Sequence, residues 1–159
     1  MSTNIDDFLA GNSADETHEF VTTVIANQLF GIPVLKVQDV LGPQRITHIP
    51  LAPDWVAGAL NLRGRIVTAI DVRSRLGLPK SDHGGQVSIV VEHNTELYSL
   101  LVDEVGEVMS FPSAAIEPNP TTLEASWREI STGIIRLDDR LLVVVDVARM
   151  FDVAQLEAA

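Results

Sequence analysis

The feature that most constrains this chain is that it resembles itself. Gly58-Ala-Leu-Asn-Leu-Arg-Gly-Arg-Ile-Val-Thr-Ala-Ile-Asp-Val72 lies without a gap over Gly133-Ile-Ile-Arg-Leu-Asp-Asp-Arg-Leu-Leu-Val-Val-Val-Asp-Val147. The leading glycine, Leu62/Leu137, Arg65/Arg140, Asp71/Asp146 and Val72/Val147 are identical. An earlier segment repeats in the same order: residues 29–40 lie over residues 97–108, with Leu29/Leu97, Val34/Val102, Val37/Val105 and Val40/Val108 in agreement. Two matches in one order read as a duplicated unit of roughly 65–70 residues, too small to be comfortably stable alone. The two units are expected to pack on each other and to leave a groove of the kind that partners occupy.

Each unit reads as short strands around tight turns. Phe20–Ala26 and Leu29–Pro33 flank Asn27-Gln28. Gly58–Leu62 and Arg65–Ile70 flank Arg63-Gly64, where glycine supplies the positive φ of a two-residue loop. Val87–Val91 and Leu97–Val102 flank Asn94-Thr95, Gly106–Phe111 is a further strand, and Thr132–Leu137 with Leu141–Val145 forms the last hairpin. Val34, Val37, Val40 and Leu41 recur at helical spacing and predict a helix stopped by Gly42-Pro43. Arg45–Ile49 reads as a short strand and Ile116–Trp127, with two prolines, as irregular. Asp71 and Asp146 each cap a short helix. Residues 1–17 are polar and acidic and predict a disordered arm. A single domain then spans 18–159, its units dividing near 18–83 and 84–153 across a polar linker at Lys80–Gly85, with strand exchange between them allowed.

Composition removes several function classes. The net charge of −11, from 22 acidic and 11 basic side chains, opposes binding to nucleic acid or anionic lipid. With no cysteine there is no disulfide, thiolate site or thiol nucleophile. The four histidines stand at no metal-like spacing. No phosphate-binding loop, dinucleotide fingerprint or nucleophile elbow occurs. No basic region followed by an apolar run opens the chain, and its longest apolar run, Leu141–Val145, is far below the ~20 residues that span a bilayer. The expectation is a cytoplasmic, non-enzymatic protein without cofactor or metal. Its carboxylates have structural readings: Asp71 and Asp146 as caps, Asp138-Asp139 as a turn, Asp103-Glu104 as a solvated face. The residue left over is Arg63, whose guanidinium fork stands at the tip of a tight hairpin.

Three stretches also resemble a known family. Gly31-Ile-Pro-Val-Leu-Lys-Val-Gln-Asp-Val40, Ile49-Pro50 with residues 56–73, and Leu101-Val-Asp-Glu-Val-Gly-Glu-Val108 are similar to the CheW family of bacterial chemotaxis coupling proteins. The likeness runs from Phe20 to Val153, and Asn-Leu-Arg-Gly followed by an apolar strand and Asp is its most specific part. The resemblance implies a mainly β fold of two SH3-like five-stranded β-barrel subdomains packed together, with short helices. It implies a scaffold that couples the histidine kinase CheA to methyl-accepting chemoreceptors and is recruited to membrane receptor arrays without inserting into the membrane. Its receptor-facing positions would be Val37, Asp39, Gly58 and Arg63. Positions facing the CheA regulatory domain would be Val87, Val105 and Val108. In the free protein Arg63 could pair with Asp39, and Gly58, lacking a Cβ, would let a partner backbone come close. Pro33 implies that its strand lies at a sheet edge. Two other readings compete: a CheW-like adaptor of another sensory pathway, serving motility or a pilus, and a small β-barrel ligand-binding or hydrolase subunit, which would need a pocket with convergent polar groups.

Overall fold

The computed structural model describes residues 16–79 and 87–151. The Lys80–Gly85 linker and residues 1–15 of the expected arm lie outside them. Thr17, assigned to the arm, is instead the first residue of a strand. Eleven strands follow one another: β1 (Thr17–Ile25), β2 (Gln28–Pro33), β3 (Val37–Leu41), β4 (Val56–Leu62), β5 (Arg65–Asp71), β6 (Val87–His93), β7 (Glu96–Val102), β8 (Glu104–Pro112), β9 (Ile116–Glu117), β10 (Ser131–Arg136) and β11 (Leu141–Val145). Two short helices, α1 (Val72–Arg75) and α2 (Ala125–Ile130), interrupt them, and residues 147–151 are helical.

The strands form two sheets, ordered β8-β1-β2-β11-β10-β9 and β3-β6-β7-β5-β4. Each sheet combines a hairpin from one repeat with strands of the other: β1–β2 with four strands of the second repeat, and β6–β7 with three strands of the first. The expected boundary at 83/84 therefore separates the repeats in sequence but not the sheets in space.

The repeat is legible in the register itself. The parallel pair β5–β7 matches Thr68 with Tyr98 and Ala69 with Ser99. The parallel pair β11–β2 matches Val143 with Phe30 and Val144 with Gly31, the positions that the two alignments assign as their equivalents. The bulge between Val56 and Gly58 in β4 recurs between Ser131 and Gly133 in β10. The pairing of Val37 with Val91 is echoed by Val105 with Thr23.

Strand alternation divides the core into three clusters. Along β11, Val143 and Val145 enter a central cluster between the sheets, while Leu142 and Val144 enter a second cluster on the far face. Along β5, Ile70 joins the central cluster, and Val67 and Ala69 join a third. Strands covered on both faces read as unbroken apolar runs, which explains Leu141–Val145. Phe111 and Ile116, on opposite edge strands of the six-stranded sheet, pack on one cluster; Leu41 and Leu60 do the same in the other sheet. Each sheet is thus strongly curved around a small core of its own.

The SH3-like barrel expectation is corrected in one respect. Among the described residues no hydrogen-bonded ladder joins β8 to β9 or β3 to β4, so neither curved sheet closes, and one has six strands rather than five. The helix expected over residues 34–41 is a single 3-10 turn, Val34–Lys36, followed by β3. There burial alternates with period two, Val37, Asp39 and Leu41 facing inward, and the β-branched valines suit an edge strand. Pro33 does not mark an edge: β2 lies between β1 and β11, but β11 pairs only as far as Gly31, so the missing N–H is not needed. The first turn sits at Ala26-Asn27, both with positive φ, one residue earlier than expected. The expected Arg45–Ile49 strand reduces to one bridge, Thr47 to Ala59. Ile116–Trp127 is less irregular than expected, since it holds β9 and the start of α2.

Both aspartate caps form. Asp71 accepts from the Ser74 amide at 3.3 Å, and Asp146 accepts from the amides of Ala148 and Arg149 at 3.0 and 3.4 Å. Asp103, read as solvated, is instead a fastening between repeats. It takes the Arg73 guanidinium on both oxygens, at 2.9 and 2.6 Å, and the Ala26 amide at 2.9 Å.

The hydrogen bond from Arg73 holds the Asp103 carboxyl below its ordinary value. A depressed carboxyl contributes stability that is whole above the unfolded value, near 3.8 for this group, and is lost as pH falls through the folded one. Asp103→Asn should cost about 1–2 kcal/mol at pH 7. Urea unfolding at pH 7 and pH 3 should show wild type and variant converging at the lower pH.

Candidate binding surface

Arg63 and Gly64 both have positive φ, 52° and 85°, and so make the tight turn between β4 and β5. Asn61 closes the turn by accepting from the Gly64 amide through its side-chain oxygen at 3.0 Å. The sequence signal for this role was Asn followed three residues later by Gly. The Asn61 side chain thus ties the backbone of the tip, while the Arg63 side chain stays 76% exposed.

Arg63 Nη2 donates to Asp39 Oδ2 at 2.7 Å, while Asp39 Oδ1 accepts from the Val40 amide at 2.9 Å. Asp39 lies on β3 and Arg63 next to β4, the two open edges of the five-stranded sheet. The ion pair thus clasps the seam that hydrogen bonds leave unclosed. An exposed pair of this kind adds at most ~1 kcal/mol to stability, so the clasp is cheap to open. The equivalent positions of the second repeat, Glu107 and Asp138, are both acidic and cannot form such a clasp.

Val37 stands beside Asp39 on β3, half-buried against the central cluster. Gly58 is buried, which changes the reason for its glycine. At φ 150° an added Cβ would lie 2.3 Å from the Thr47 carbonyl oxygen and 2.7 Å from Ile46 Cγ2. The backbone that comes close is this chain's own strap over β4, not a partner's.

The three remaining candidates fall into two groups. Val105 and Val108 lie on the edge strand β8, while Val87 opens β6 in the other sheet. Val87 and Val105 pack against the same central cluster, and Val108 is half exposed. Val108 is the repeat equivalent of Val40, which is also exposed on its edge strand β3. Sequence reasoning missed Ile66, an exposed apolar side chain lining a groove with Arg45, Thr47 and Asn61 beside the hairpin tip. No helix among the described residues is long and apolar enough to cross a membrane.

Two curved sheets from a duplicated unit share one core, and a clasped hairpin tip stands exposed at the seam of one of them, which makes a small, mainly β module. Comparison with known proteins is specific: the CheW-like domain matches residues 19–155, and the chain belongs to that family. It is 32% identical over 143 residues to the chemotaxis protein CheW of Klebsiella aerogenes, covering 89% of this chain and 85% of that one. Protein PilI of Pseudomonas aeruginosa is 31% identical over 120 residues, covering 75% and 67%. Among solved structures, the scaffolding protein TtCheW of Thermoanaerobacter tengcongensis superposes with a TM-score of 0.75 at 30% identity, covering 86% of this chain and 94% of that one.

Proposed function

We propose that this protein is the non-enzymatic adaptor that couples a CheA-type histidine kinase to the cytoplasmic tips of chemoreceptors. The observation that carries the reading is the Arg63–Asp39 clasp. It is exposed, cheap to open, and mounted on a turn whose backbone is closed by the Asn61 side chain. A receptor helix laying apolar residues along Val37 and offering a carboxylate to Arg63 would exchange an internal ion pair for an external one. Such an exchange supplies specificity more than affinity. In this reading Gly58 acts indirectly, by seating the strap beneath the hairpin. Val87, Val105 and Val108 serve the kinase regulatory domain, with Val108 as the exposed contact. The SH3-like description applies to each curved sheet as a barrel left open at its seam. The protein works in the cytoplasm and joins receptor arrays through its partners.

The second reading, the same scaffold in another sensory pathway, draws on the similarity to PilI. Arg63→Ala separates binding from folding. The side chain is mostly exposed, so stability should fall by no more than ~1 kcal/mol, the most that such a surface pair supplies. Its Kd for a receptor cytoplasmic fragment, measured by calorimetry, should rise about tenfold or more, the loss of one charge-assisted contact. A folded Arg63→Ala that binds the fragment as wild type does would remove Arg63 from the interface.

A further inference from the structure

We propose that the chain's own N-terminal arm binds in cis in the groove beside Leu35. The groove has a volume of about 210 Å³ and is walled by residues 17–20 of β1 and by residues 33–35. Leu35 is 92% exposed, although the 3-10 turn carrying it is anchored on both sides by strands. Its equivalent in the second repeat, Asp103, is fastened by Arg73 and the Ala26 amide. Leu35 has no comparable fastening. Beside it, Lys36 is exposed and makes no hydrogen bond or ion pair among the described residues.

The arm's apolar side chains match the groove, and because the groove wall carries Glu19 the arm's acids must turn away from β1 toward Lys36. Ile5, Phe8 and Leu9 supply apolar side chains, Asp6 and Asp7 flank them, and residues 1–15 contain no Lys or Arg. Phe8 and Leu9 can cover Leu35 while an aspartate faces Lys36. Connectivity favours this occupant, because the arm leads directly into Thr17, a wall of the groove. Leu9 stands seven residues before Glu16, a reach of about 23 Å when extended, which is ample for folding back. Tethering then gives a local concentration in the millimolar range, without the entropy of a bimolecular encounter. A second copy is the weaker occupant, since two molecules of net charge −11 repel each other. The groove adjoins Val37 and Asp39, so the arm would lie next to the receptor-facing strand, but the inference stands without that role.

The chain has no cysteine, so Ser2→Cys carries a single spin label on the intact protein. The amide signals of Val34, Leu35 and Lys36 should lose more than half their intensity. Phe8→Ser with Leu9→Ser, both outside the described fold, should restore them, and so should Leu35→Ser. Unlabelled protein mixed with labelled protein should show no loss. Signals that stay intact in the labelled chain, or a loss that survives Phe8→Ser with Leu9→Ser, would overturn the proposal. Broadening of the unlabelled copy would assign the groove to a second molecule instead.

Discussion

Val143→Asp should yield no soluble folded protein. Val143 is fully buried at the middle of β11, between Phe30 of β2 and Ile134 of β10, and faces the cluster shared by both sheets. A carboxylate there would sit among apolar side chains, and protonating it still leaves polar atoms without partners. An unpaired buried charge costs several kcal/mol, comparable with the whole stability of a small domain. Because β11 joins a hairpin of one repeat to the strands of the other, the loss reaches both. Val143→Ala, which leaves a small cavity, should cost about 1–3 kcal/mol and remain folded. Val108→Asp, on an exposed edge, should also remain folded. Circular dichroism and urea titration of the soluble fractions distinguish the three. A cooperatively folded Val143→Asp would mean that the facing assigned to β11 is wrong.

Gly58→Ala carries the second large effect, for a different reason. The new methyl would meet a backbone carbonyl at 2.3 Å, which no rotamer change can relieve, at a φ that L residues rarely adopt. The strap at Ile46-Thr47 must lift or β4 must shift, at a cost of roughly 2–5 kcal/mol. Gly64→Ala is the control, in the same hairpin with positive φ but with nothing within 4 Å of the added Cβ. It should cost only the backbone penalty, about 1–2 kcal/mol. Equal losses in urea midpoint for the two variants would show that the strap does not depend on Gly58. Receptor binding by Gly58→Ala should weaken along with the strap, because the strap supports β4 and hence the hairpin tip.

The parts of the fold legible in the sequence were those where local chemistry is decisive. Two-residue turns announce themselves through Gly or Asn, which tolerate positive φ, and Gly64 and Asn94 are why the turns at Arg63-Gly64 and Asn94-Thr95 were placed correctly. The aspartate caps were legible because a short acceptor before an apolar run has few other uses. The repeat was legible as identity, and the register shows that its offsets are structural.

What stayed hidden was set by tertiary context. Val34, Val37, Val40 and Leu41 satisfy a helical period by coincidence, whereas the side-chain alternation that makes β3 a strand becomes visible only against β6. Strand exchange leaves no local trace, since either hairpin could pair with either set of partners. Asp103 looked solvated because its cation, Arg73, is thirty residues away on another element. Among the candidate site residues, Asp39 and Arg63 do come together, but nothing in either segment alone dictates that a seam lies between them.

The duplication also explains why the two copies differ where they do. Architecture recurs: the buried glycine, the bulge, the parallel register and the cap appear twice. The first hairpin tip has diverged to carry an arginine and a clasp, the second to carry two aspartates. Divergence at an exposed tip on a preserved framework is what one core bearing two different interfaces requires.

If one small protein holds kinase and receptor together, co-sedimentation will show it. Membranes bearing a chemoreceptor are mixed with a CheA-type kinase, with and without this protein, and pelleted. The kinase should enter the pellet only when this protein is present, and Arg63→Ala should sharply reduce the amount. Kinase that pellets equally without it, or that stays in the supernatant while this protein pellets with the receptors, would contradict the coupling role.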